Sequence, residues 1–129
     1  MNYWIESADR DYETLKKLYE NKENTWSLFF GDLIIEKLLK AVYAKNNKSA
    51  PYAPRTHDLP YLAERAGVEL TEEQNSLLEK ITKFNMNARY DDYQNNFYHQ
   101  CTNEYTKEQI LKIEEVIKWL KQELSKIQK

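Results

Sequence analysis

An arginine and a histidine ten residues apart, Arg89 and His99, stand in the stretch "ARYDDYQNNFYHQ", residues 88–100. Arginine's planar guanidinium can grip two phosphate oxygens at once. Histidine, with an unperturbed pKa of about 6.5, can take or give a proton near neutrality. These are the residue types that ribose-directed RNA cleavage needs, a base for the 2′-hydroxyl proton and a cation for the phosphorane charge. The same stretch holds Tyr90, Tyr93, Phe97 and Tyr98. Such rings can stack nucleobases, or cap a bundle core or form a contact between two copies. The neighbouring Asp91 and Asp92 would repel a phosphate backbone, which favours the core or dimer role for the rings. Arg89 also has a plainer role, as a cation facing the last carbonyls of a helix.

The other candidates carry less. His57 precedes Asp58, but two histidines 42 residues apart are no ligand pattern, and Asp58 reads better as a helix N-cap. Asp91 and Asp92 have no further carboxylates at set spacing, so they read as solvated charges rather than a cation site. Neither a metal nor a cofactor is expected. Cys101 is the single cysteine, which excludes an intrachain disulfide and a zinc finger and points to a reducing, cytoplasmic setting.

Net charge is −2 over 129 residues, with a pI near 5.8. That excludes a broadly basic nucleic-acid surface, although a pocket with one or two cations can still hold a nucleotide or an RNA phosphate. Residues 1–25 carry charges throughout and lack the apolar core of a signal peptide. The longest apolar run, "WSLFFGDLII", is interrupted and too short to cross a bilayer. No membrane role is expected.

These side chains must be positioned by helices. Only two glycines and three prolines occur, with 41% hydrophobic and 31% charged residues, a composition for a single globular domain poor in turns. Trp4, Ile5, Ala8, Tyr12, Leu15, Leu18 and Tyr19 recur at three- and four-residue steps and predict a first helix. The second, from about Thr25 to Tyr43, is apolar nearly all round, with Glu36, Lys37 and Lys40 as its polar strip. Such a helix lies at the centre of a bundle or is covered on a second side by a partner chain. A loop through "AKNNKSAPYAPRTHD" leads to a short helix capped by Asp58 or Thr56, with Pro60 in its first turn and its end at Gly67. Thr71 and Gln74 form a capping-box signature opening the next helix, through Leu77, Leu78, Ile81, Phe84 and Ala88. Thr106 and Gln109 form a second such signature ahead of a C-terminal seam of Ile110, Ile113, Ile117, Leu120, Leu124 and Ile127. Residues 89–105 follow no helix pattern and read as a long irregular stretch, a length at which loops are commonly functional. The expectation is an all-α, up-and-down antiparallel bundle of about five helices, one domain over residues 1–129.

Four segments in order, "WIESADRDYETLKKL", "FFGDLIIEKLLKAVYAKNN", "THDLPYLAERAG" and "ARYDDY", resemble the HEPN family (higher eukaryotes and prokaryotes nucleotide-binding), in its small stand-alone prokaryotic type. The resemblance covers nearly the whole chain. It implies an all-α bundle, a homodimer, and a nucleotide- or RNA-binding role, commonly as the partner of a minimal nucleotidyltransferase in a toxin–antitoxin pair. In that reading Arg89, Tyr90, Tyr93 and His57 are the binding residues. Active members of the family are metal-independent endoribonucleases with an Arg-x(4–6)-His motif. Arg89 matches its arginine, but Gln94, Asn95 and Asn96 occupy the histidine window and His99 comes three residues late. Catalysis by Arg89 and His99 is therefore the alternative, and a purely structural dimerisation module the third reading.

Overall fold

The computed structural model describes residues 2–47, 49 and 52–127. Among them six helices and no strand are found: α1 (Asn2–Glu20), α2 (Asn24–Asn46), α3 (Leu59–Arg65), α4 (Glu72–Arg89), α5 (Asp91–Gln100) and α6 (Asn103–Ile127). The all-α bundle is as expected. None of these helices is long and apolar enough to cross a membrane.

Helix α2 is the axis, and α1, α3, α4, α5 and α6 all pack on it. Leu28, Ile34, Ile35, Leu38, Leu39, Ala41 and Val42 are buried on its various sides. Helix α1 lays Ala8 and Leu15 into the core, with Trp4, Ile5, Tyr12 and Tyr19 packed beside them, while Glu6, Asp9, Arg10, Lys16 and Lys17 face water. It ends where Lys22 takes a left-handed φ of 62°. The amides of Lys22 and Glu23 then donate back to the carbonyls of Tyr19 and Leu18, closing the helix end and reversing the chain into α2.

Short-range chemistry sets the ends of α3 and α4. The Asp58 carboxylate accepts from the Tyr61 amide with Pro60 in the first turn. Gly67 leaves the helix at φ +83°, a conformation that strains any residue with a Cβ. Thr71 and Gln74 make the full reciprocal capping box.

Two expectations need correction. Residues 91–100 are not irregular but form α5, joined to α4 through the single extended residue Tyr90. Only Phe97 of α5 is buried, stacked on Phe84 of α4 with ring centroids 5.8 Å apart. One apolar anchor in ten residues leaves no helical repeat to detect. Asp91 and Asp92 sit in its first turn, where carboxylates favour the positive end of the helix dipole. The second correction concerns Thr106 and Gln109, which are buried inside α6 and are not its cap. The helix starts a turn earlier, where the Thr102 hydroxyl accepts from the Tyr105 amide. The C-terminal seam runs through Ile110, Ile113, Val116, Leu120 and Leu124; the side chain of Ile127 lies outside the described residues.

Helix α6 approaches α2 at Gly31, where an added Cβ would collide with the Cδ1 methyl of fully buried Ile113. Gly31→Ala gains about 1 kcal/mol of helix propensity against that contact, so its net effect on urea unfolding is expected to be small. Gly31→Leu gains no more propensity and cannot fit, and is expected to cost about 2–3 kcal/mol by overpacking. Equal stability of the leucine variant and wild type would disprove the close packing of α2 on α6.

Candidate functional site

The last turn of α4 brings Asn85, Ala88 and Arg89 together, with Asn85 and Ala88 buried and Arg89 exposed. Asn85 Nδ2 donates to Asp32 Oδ2 of α2 at 2.9 Å. Asp32 is fully buried, and burial pushes its carboxyl up to about 8. The like charge of Glu36 acts in the same direction, opposed by the Asn85 hydrogen bond and the Arg89 guanidinium. The carboxyl is therefore mainly protonated at neutral pH. Its Oδ1 has no hydrogen-bond partner among the described residues.

One turn further along α2, Glu36 is buried rather than part of a solvated strip. It accepts from Lys40 at 3.0 Å and lies 2.8 Å from His57 Nδ1. The His57 side chain is 63% exposed while that of Glu36 is 9% exposed, so the imidazole covers a carboxylate that would otherwise meet water at one edge. Lys37 turns the other way, to Ser7 and Asp11 of α1.

Arg89 closes this end of the bundle. Its guanidinium carbon lies 5.5 Å from the centroid of the Tyr90 ring, a cation–π distance. Among the described residues it enters no ion pair. Tyr90, Tyr93 and Met86 are exposed beside it in sequence, each by more than a third. The sequence thus places an unneutralised cation and two phenol rings at the junction of α4 and α5.

His99 occupies the last turn of α5, its ring 5.4 Å from that of Tyr98. At a rise of about 1.5 Å per residue, α5 carries it roughly 12 Å along the helix from Asp91. No hydrogen bond or ion pair joins Arg89 to His99 among the described residues. His57 likewise pairs with Glu36 and makes no bond to either of them. Within the chain, then, Arg89 contacts Tyr90, His57 pairs with Glu36, and His99 lines a pocket with Ala88 and Tyr98.

Residues 1–124 match the family described as the HEPN domain. The chain belongs to the HEPN family. No curated protein and no solved structure matches it. In this HEPN chain the window that the resemblance assigns to a histidine, residues 94–96, falls in the middle of α5. Gln94, its first residue, donates from Nε2 to the Ala88 carbonyl at 2.9 Å, which ties α5 back to the end of α4. Asn95 and Asn96 are exposed.

Asp32 and Asn85 are the residues that sequence reasoning passed over. The available signal was a lone carboxylate in the apolar run "FFGDLII", on a helix with no face left for water. Asn85 gave none, since an asparagine on an amphipathic helix is ordinary.

Asp32 makes stability depend on pH. Its folded pKa lies above its unfolded value of about 3.9, so the folded state holds the proton more tightly. The resulting stability is complete below about pH 4 and is lost as pH rises towards 8, by about 1.4 kcal/mol per pH unit at most. Asp32→Asn keeps an acceptor for Asn85 and has no proton to lose. Urea unfolding between pH 5 and 8 is expected to show a falling stability in wild type and a flatter profile in the variant. Parallel profiles would place the titration elsewhere.

Proposed function

We propose that this HEPN protein binds a nucleotide or an RNA phosphate at the α4–α5 junction. The observation that carries the reading is Arg89, exposed, stacked on Tyr90 and without an ion-pair partner among the described residues. A guanidinium held by a ring face rather than a carboxylate keeps its hydrogen-bonding fork for an anion. Tyr90 and Tyr93 add apolar faces for a base or sugar. Binding is favoured over cleavage because the proton-transfer group of the alternative, His99, stands at the far end of α5 from Arg89. The reading extends to a pairing with a nucleotidyltransferase in a toxin–antitoxin-like unit in the cytoplasm, with this chain as the binding partner.

The test is fluorescence anisotropy of a labelled short single-stranded RNA over a range of salt concentrations. Arg89→Ala is expected to weaken binding about tenfold or more and to reduce the salt dependence by about one phosphate contact, near 0.7 in log–log slope. Unchanged affinity and slope would remove Arg89 as the anion site. The same RNA incubated in EDTA is expected to stay intact with wild type and with His99→Ala. Cleavage by wild type that the substitution abolishes would establish the ribonuclease alternative instead.

Exposed Met86, Tyr90 and Tyr93 also favour a second copy as a partner at this end. Light scattering is expected to give a dimer for wild type and a monomer for Tyr93→Asp. A wild-type monomer, or a dimer that survives the substitution, would exclude this contact.

A further inference from the structure

Of the carboxylates among the described residues, Asp32 alone has no exposed surface. Asn85 of α4 gives it one amide donor, and its second oxygen has no partner among the described residues. An ionised carboxylate so deeply desolvated needs several donors, and Asp32 has one. Arg89 follows Asn85 by four residues on α4, one turn further along the same side of the helix. Its guanidinium acts on the Asp32 carboxyl in favour of the charged form and enters no ion pair of its own among the described residues.

The other charges near Asp32 are engaged elsewhere. Glu36, one turn along α2, is the like charge that opposes ionisation, and it is held by Lys40 and His57. Lys37 turns to Ser7 and Asp11 of α1. Glu64 and Arg65 of α3, and Asp91, Asp92 and His99 of α5, are exposed. Helix α6 presents the apolar Ile113 to α2 at Gly31. The charge state of Asp32 is thus balanced between one cation, Arg89, and one anion, Glu36.

We propose that Asp32 sets the anion affinity of Arg89, so that a phosphate binds at the α4–α5 junction together with a proton on Asp32. The proposal rests on the phosphate reading of Arg89 for its ligand and adds the buried residue that regulates that site. With Asp32 neutral, the guanidinium is free of its field and attracts a phosphate at full strength. With Asp32 ionised, the two attract each other through the poorly screening core, and a phosphate must compete with that attraction. The coupling is reciprocal. A bound phosphate offsets the field of Arg89 at Asp32, so the carboxyl holds its proton more tightly. Because burial pushes that carboxyl up to about 8, the neutral form dominates below this pH and binding is tight there. Affinity is lost as pH rises through the same range. A phosphodiester has no proton to exchange in that range, so the pH dependence belongs to the protein. Asp32 touches no ligand and acts through Arg89.

The experiment follows anisotropy of a labelled 2′-O-methyl RNA, which resists alkaline cleavage, from about pH 7 to 9.5 at constant ionic strength. Wild type is expected to lose affinity severalfold, towards the roughly tenfold limit that one pKa unit of coupling sets. Asp32→Asn is expected to keep throughout the affinity that wild type has at the low end. Circular dichroism checks that both stay folded across the range. His99→Ala is expected to retain the wild-type fall, which separates the effect from that imidazole. Calorimetry of wild type in two buffers of different ionisation enthalpy is expected to show proton uptake on RNA binding at about pH 8, and decides the matter alone if Asp32→Asn does not fold. Absent uptake, or parallel profiles for wild type and Asp32→Asn, would overturn the proposal. The phosphate reading would then still stand if Arg89→Ala weakens binding. If Arg89→Ala leaves RNA binding unchanged, the phosphate reading falls and this proposal with it.

Discussion

Helix α2 has no exposed residue between Ser27 and Lys45, and the rest of the molecule is arranged to make that possible. Five other helices pack on it, because an apolar surface that runs round a whole helix needs neighbours on every side. Gly31 lets α6 come close on one side. On another, α4 supplies Asn85 to satisfy the one carboxylate that the burial traps. Short contacts then hold the outer helices in place. Tyr12 of α1 donates to Glu114 of α6 at 2.5 Å, a bond that, with burial, raises the phenol to about 12.

Burying Asp32 has a consequence for the site. A protonated carboxyl at Asp32 offers no full negative charge to neutralise the Arg89 guanidinium, and although Asp91 and Asp92 are exposed nearby in sequence, neither forms an ion pair with it among the described residues. Had Asp32 been ionised and exposed, it would have competed with any phosphate for the same cation. The core's electrostatics and the site's open cation are two sides of one arrangement.

Helix α5 is the element that distinguishes this chain's end from a plain helix-to-helix turn. Phe97 anchors it on Phe84 and Gln94 ties it to Ala88, so the remaining eight of its ten residues are free to face solvent. That freedom turns the aromatics outward at the α4–α5 junction. His99 falls in the last turn of α5.

The bundle was legible in the residues themselves. Apolar spacing located α1, α2, α4 and α6, and Asp58, Gly67 and the Thr71–Gln74 pair marked ends that depend only on neighbours within a turn. The similarity of four ordered segments to the HEPN family was legible too, with Arg89 as the matching arginine. What the sequence did not disclose depends on distant residues. Helix α5 has a single buried anchor, so its stability comes from α4 rather than from its own repeat. Thr106 and Gln109 look like a cap until α6 is seen to begin at Asn103. Asp32 and Asn85 are 53 residues apart, and only packing makes them partners. The pocket that His99 lines likewise draws Lys22, Asn24, Tyr98 and Asn103 from three helix ends. Local hydrogen bonds and periodicity can be read along a chain; desolvation, and the company a side chain keeps across a core, are decided by tertiary structure.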